Sequence, residues 1–262
     1  MVDLASAKTT ATLYLDEIEA TLSIRRAFNE IIVARQGQLF PAFQHDPQGK
    51  ASLVEALKSK SVDESALNRG LVIQVNSVFE LFIRSLVAAV TDHIAASVHQ
   101  FSKTEKKFQS QFLAHAGRVM NYLPSGSLNG QNFDFQSLLD SVRMCLGNES
   151  PYQIYSPAFS VLMGNCTPEK LEKLFDIFGL VKPFADDLGR NKELQRVVNE
   201  RGHRRAANLA RSTLRKQIDL RNDIVHGQLA RAVSTADVVD SVAFFRALVD
   251  ALSGVVEHEL NA

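Results

Sequence analysis

The sequence predicts an all-α protein, and three observations carry that prediction. Apolar residues recur at three- and four-residue spacing over most of the chain, the period that lines one face of a helix. No stretch shows the alternation of apolar and polar residues that a half-buried strand requires. Helix start and stop signals bound the periodic segments: Ser61-Val62-Asp63-Glu64, Thr167-Pro168-Glu169 and Ser234-Thr235-Ala236-Asp237 read as openings, and Gly179 and Gly227 as ends. With 262 residues, 45% of them hydrophobic, the chain can build one large core, alone or with an appended helical region.

The elements follow in order. A first helix is expected over roughly residues 10–35, carrying Leu13, Ile18, Leu22 and Ile31. Residues 36–49 hold two prolines and two glycines and read as a loop. A short helix is expected at 52–58. The capping box at Ser61 then opens a long helix reaching about Gln100. Another helix spans 103–122. A Gly/Ser/Asn loop covers 124–132, a short helix 135–146, and an irregular stretch holds Pro151 and Pro157. Proline at the first helical position sets the helix that begins at Thr167 and ends near Gly179. Residues 183–191 form a turn or short helix. A helix runs from about Ala206 to His226, and the last one carries Val238, Val242, Phe245, Leu248, Leu252 and Val255 on one face. The boundary between a helical extension and the main domain is expected at residues 60/61, giving 1–60 and 61–262.

Charge does not select a partner: 29 basic residues balance 29 acidic ones. The two cysteines, Cys145 and Cys166, have no metal-binding spacing, which fits free thiols in a reducing compartment. The N-terminus shows no apolar signal segment. The most apolar run, Leu71–Val98, is broken by Glu80, Arg84 and Asp92 and reads as a buried core helix rather than a membrane span. A cytoplasmic protein without membrane attachment is expected.

Chemistry concentrates in Arg221-Asn222-Asp223-Ile224-Val225-His226-Gly227. On a helix Asn222 and His226 share a face, while Arg221 points roughly 140° away from His226. The arginine is long enough to swing round, and Gly227 lets the helix end there. Histidine exchanges protons near neutral pH. Arginine presents a rigid fork of donors suited to phosphate oxygens and to the charge of a phosphorane-like transition state. Asparagine offers one acceptor and two donors that can orient either group. RNA carries its own nucleophile, the 2′-OH, so such a site can cleave it without a metal. The plain alternative is a helix end whose cation favours the macrodipole; spacing alone weights the two readings evenly.

Arg221-Asn222-x3-His226 resembles the R-polar-x3-H signature of HEPN domains, a superfamily of α-helical bundles. The Arg-Asn-Asp-Ile-Val-His-Gly form, with Thr167–Gly179 (TPEKLEKLFDIFG) and Leu71–Leu86 (LVIQVNSVFELFIRSL), resembles the RiboL-PSP-HEPN branch, over roughly Asn68 to Leu260. The resemblance implies a HEPN-type bundle with an additional N-terminal helix. It also implies a homodimer whose two R…H motifs share a cleft, and a metal-independent endoribonuclease acting as a toxin or anti-phage effector. Arg221 and His226 would be the catalytic pair, Asn222 the polar helper and Asp223 a supporting residue. RNA is then the substrate, with tRNA a candidate, and an antitoxin or defence-system protein a candidate partner. Related toxins controlled by a nucleotidyltransferase carry a tyrosine two places after the histidine; Gln228 stands there, which argues against that control. Two alternatives stay open: a non-catalytic RNA- or nucleotide-binding HEPN module, and a helical interaction subunit.

Other residues bear on the site. Asn76, Glu80 and Arg84 recur every four positions; they read as a polar stripe with one ion pair, or as cleft residues with Glu80 holding Arg221 or tuning His226. Residues 190–216 hold nine basic residues against two acids. Arg201, Arg204, Arg205, Arg211, Arg215 and Lys216 are the candidates for contacts along a phosphate backbone, against a plain solvated face. The other histidines lack zinc spacing and no phosphate loop or nucleophile elbow is present, so neither metal nor cofactor is expected. Tyr152 and Tyr155, in the proline-flanked loop, are the candidate base-stacking aromatics.

Overall fold

The computed structural model describes residues 4–42, 47–122, 127–128, 131–159, 162, 164–228 and 232–261. Helix α1 spans Leu4–Ala42 and α2 spans Pro47–Ser97. They are followed by α3 (Lys106–Tyr122), α4 (Phe135–Leu146), α5 (Pro168–Ile177), α6 (Lys192–Val197), α7 (His203–Val225) and α8 (Thr235–Asn261). One-turn 3-10 segments lie at Phe101–Lys103, Ser156–Phe159 and Leu188–Arg190. The one β-ladder among the described residues joins β1 (Ser127–Leu128) to β2 (Gln131–Asn132), antiparallel. The protein is all-α.

Local chemistry explains several boundaries. Thr167 caps α5 by accepting from Lys170 N at 3.5 Å, with Pro168 in the first turn, and Gly179 follows the helix at φ +70°. Asp134 caps α4 by accepting from Ser137 N at 3.2 Å. Asn191 caps α6, a helix too short for its periodicity to register in the sequence, by accepting from Leu194 N at 2.9 Å.

Three expectations are corrected. The loop expected at 36–49 is helix up to Ala42 and again from Pro47, with 43–46 outside the described residues; proline at the first position of α2 suits its fixed φ. The separate short helix at 52–58 and the new start at Ser61 are one continuous helix. Glu64 is used for tertiary contacts instead of a capping box: it pairs with Arg25 and accepts from Thr235 Oγ1. In α1 the inward stripe is Leu4, Ala7, Ala11, Leu15, Ile18 and Leu22, while Leu13 is 56% exposed. Two alanines in that stripe permit close approach of α2 and α8 but give a weak hydrophobic signal. Ile31 has no described side chain.

The core lies where α1, α2, α7 and α8 meet. Phe79 of α2 meets Phe245 of α8 at 4.9 Å between ring centroids, and all six apolar residues expected on the inner face of α8 are buried. Each such side chain contributes about 1.5–3 kcal/mol on burial. The segment Glu64–Ser97 is long and apolar enough to cross a membrane, its most apolar 18-residue window reaching mean hydropathy 1.6, but 56% of that window is buried inside the protein. A second aromatic cluster, with Phe101, Phe108, Phe112, Phe159 and Phe178, joins α3 to the 3-10 segments and the end of α5. α2 crosses residues 60/61 without a break, and residues 4–22 share the main core.

Candidate active site

The end of α7 positions the motif. Two backbone hydrogen bonds close this helix: Gln228 N donates to Asp223 O at 2.9 Å and Gly227 N donates to Ile224 O at 3.2 Å. That pairing is a Schellman closure, and it places Gly227 at φ +66°, a conformation L side chains rarely adopt. A Cβ at Gly227 would meet nothing within 4 Å, so the demand for glycine is conformational, not steric.

Arg221 and Asn222 stand near the end of α7, and His226 is the residue that caps it. Arg221 Nη1 donates to Asn222 Oδ1 at 3.1 Å. The backbone carbonyl of Asn222 accepts from His226 N at 2.9 Å. Asn222 thus holds the guanidinium with its side chain and the histidine backbone with its carbonyl. Arg221, Asn222 and Asp223 are half-buried and His226 is exposed. The Arg221 guanidinium is tied to the Asn222 side chain, and the His226 imidazole, at the C-terminal cap of the same helix, is open to solvent. Asp223 lies one turn before His226 and has no ion-pair partner among the described residues.

No hydrogen bond joins Glu80 or Arg84 to the motif among the described residues. Glu80 Oε1 accepts from Asn165 N at 3.2 Å, just before α5, and Arg84 Nε is buried without a hydrogen-bond partner. Neither ion-pairs with the other, with Arg221 or with His226 among the described residues. Both act on Cys166, whose thiol is pushed up chiefly by burial and then by the Glu80 charge. Asn76 is buried and donates back to Val72 O of its own helix at 2.9 Å.

The basic run divides in two. Arg211 donates to Glu172 at 2.8 Å and to Glu169 at 2.9 Å, and Arg215 also pairs with Glu169. The Glu172 carboxylate holds the Arg211 guanidinium above its ordinary value. Arg201, Arg204, Arg205 and Lys216 are exposed and carry no ion pair among the described residues. These four cations are exposed, the Arg205 charge acting on Glu200, whereas Arg211 and Arg215 are tied to α5. Tyr152 is buried against Phe101, with ring centroids 6.0 Å apart, and Tyr155 accepts from Asp134 N at 2.9 Å; both have structural positions, not those of stacking platforms. No group of three or more metal-ligating side chains occurs among the described residues.

Sequence reasoning missed the α5 carboxylates and a polar cluster of Arg25, Ser65 and Asn68. The partners in each lie tens of residues apart, and no local pattern marks them. Neither the curated proteins nor the solved structures return a significant match. The RiboL-PSP-HEPN family model matches residues 49–258, a span holding α5, the α7 terminus and nearly all of α8. An all-α bundle with an Arg-Asn-x3-His helix end is what the sequence resemblance implied, and the chain belongs to the RiboL-PSP-HEPN family.

Proposed function

We propose that this chain is a metal-independent endoribonuclease that works as a homodimer in the cytoplasm, as a toxin or an anti-phage effector. The observation that carries this reading is a half-buried Arg221 guanidinium bonded to the Asn222 side chain, at the same helix end that exposes the His226 imidazole. The two groups divide the chemistry. His226 takes the proton of a 2′-OH as its oxygen forms a bond to phosphorus. Arg221 holds the non-bridging oxygens as charge builds on them. The P–O5′ bond breaks, and the leaving oxygen takes a proton from His226 of the partner subunit. The products are a 2′,3′-cyclic phosphate and a 5′-OH end. The exposed Arg201, Arg204, Arg205 and Lys216 support a backbone contact that positions RNA, tRNA being a candidate, without reading its sequence.

The test is purified wild type and His226→Ala with total RNA in EDTA. Cleavage by the wild type alone supports the nuclease. Binding by both without cleavage by either supports a non-catalytic RNA-binding module instead.

A further inference from the structure

A cavity of about 540 Å³ lies where the end of α6 turns toward α7, and its lining is mostly charged. Lys192 and Arg196, one turn apart on α6, line it together with Arg201, against a single carboxylate, Glu200. The way α6 ends brings these charges together. Glu200 N donates to Gln195 O at 3.0 Å and Asn199 N donates to Arg196 O at 3.2 Å, with Asn199 at φ +53°. This Schellman closure turns the chain back, so Arg201 shares the cavity with the two cations of the helix. Arg196 is held by Glu193, its Nε donating at 2.9 Å. Lys192 and Arg201 are exposed and have no ion-pair partner among the described residues.

Glu200 is placed as a bound anion would be. Its Oε1 accepts from Gly202 N at 2.8 Å. That N–H holds the carboxyl below its ordinary value, and the Arg201 N–H and the Arg205 charge act in the same direction. α7 opens at Gly202 without a side-chain cap, so the positive end of its dipole adds to the field around the carboxylate. Small-ligand pockets span about 300–1,000 Å³ and are mostly apolar; a charged lining of this kind suits a polar anion instead.

We propose that this cavity binds a phosphate group, and that the Glu200 carboxylate is the internal anion which the phosphate displaces. Phosphate offers more charge and more acceptor oxygens than a carboxylate. It can take the N–H groups of Arg201 and Gly202 and the Lys192 ammonium together, while Glu200 turns out to solvent. Glu200 then sets the affinity, because each phosphate must first free those N–H groups. The inference does not depend on the nuclease reading, since neither Arg221, Asn222 nor His226 lines the cavity.

The probes are inorganic phosphate and a short oligodeoxynucleotide with either a 5′-phosphate or a 5′-hydroxyl. A deoxy strand has no 2′-OH, so binding is read without cleavage. Backbone amide shifts of residues 199–205, by NMR on full-length protein, report both place and affinity. Inorganic phosphate should shift the Arg201 and Gly202 amides of the wild type. Lys192→Ala and Arg201→Ala should each weaken binding by about fivefold, the size of one exposed charge contact. Glu200→Gln, which keeps the shape and removes the competing charge, should tighten it by about fivefold. Lys103→Ala, outside the cavity, should leave it unchanged. Tighter binding of the 5′-phosphate strand, lost in Lys192→Ala, supports the site and makes a strand end the source of the group. Equal binding of the two strands, weakened alike by Lys192→Ala, supports it with the strand backbone as the source. Response to inorganic phosphate alone supports it with a free anion as the source. No shift at Arg201 and Gly202 with any probe, or affinity unaltered in both Arg201→Ala and Glu200→Gln, overturns the inference. A wild type that binds phosphate here and does not cleave RNA overturns the nuclease reading alone.

Discussion

Replacing Gly227 tests whether the helix closure, and not merely the presence of a histidine, makes the motif. Gly227 sits at φ +66° with open space where a Cβ would stand. The left-handed conformation costs an L residue about 1–2 kcal/mol, part of which is offset because alanine also restricts the unfolded chain. Gly227→Ala should therefore destabilise by about 1 kcal/mol, a Tm fall of about 2–4 °C for a chain of this size. Asparagine tolerates the same region, and the chain already places Asn148, Asn165 and Asn199 at positive φ. Gly227→Asn should cost about half as much as alanine. Gly227→Val, β-branched, should cost about 2 kcal/mol or open the closure and release His226. Denaturant unfolding gives the stability order, and RNA cleavage below the melting range gives the functional one. Asn should stand closest to wild type in both assays and Val furthest. Equal stability for Gly, Ala and Val, or Asn ranking below Ala, would refute the closure argument.

His115 gives a pH prediction. It is buried with both ring nitrogens unpaired, and its pKa is lowered from 6.5 to about 4, first by burial and then by Arg118 and Lys173. The unfolded imidazole gains its proton as pH falls through about 6.5, whereas the folded one resists until about 4, so stability present at pH 8 is lost across that window. The loss should reach about 2 kcal/mol by pH 5, and His115→Phe should abolish that share; equal pH dependence of the two proteins contradicts it. The division of the basic run predicts salt behaviour. Arg204→Ala should make the slope of log affinity for single-stranded RNA against log salt shallower by about 0.7, while Arg215→Ala leaves it nearly unchanged. Glu169→Gln, which releases Arg215, should steepen the slope by a similar amount, and a slope insensitive to Glu169 contradicts the division. Cys145 is pushed up to about 12 by burial and Cys166 is also raised, so neither should react promptly with a thiol reagent in native protein; rapid labelling contradicts that environment.

The fold was legible where the signal is local. Thr167-Pro168 announces its helix because a capping oxygen lies three residues from its donor. The inner face of α8 is legible because its buried residues are large and strictly periodic. Ser61–Glu64 misled because a capping pattern is only an option for a backbone, and Arg25 and Thr235 claim the glutamate once the chain is folded. Leu13 misled because Ala7 and Ala11 set the inward face of α1 at close quarters. At the site, the helical spacing of Asn222 and His226 was enough to bring them to one helix end. The pairing of Arg211 and Arg215 with Glu169, and of Glu80 with the Asn165 backbone, was not legible, since each partner is remote in sequence.

The chemistry of the product ends tests the central assignment most directly. RNA cut by the purified protein in excess chelator should carry 2′,3′-cyclic phosphates and 5′-hydroxyls, and Arg221→Ala and His226→Ala should yield neither. Ends with 3′-hydroxyl and 5′-phosphate, or cleavage that persists in His226→Ala, would contradict attack by the 2′-oxygen with the imidazole as its base.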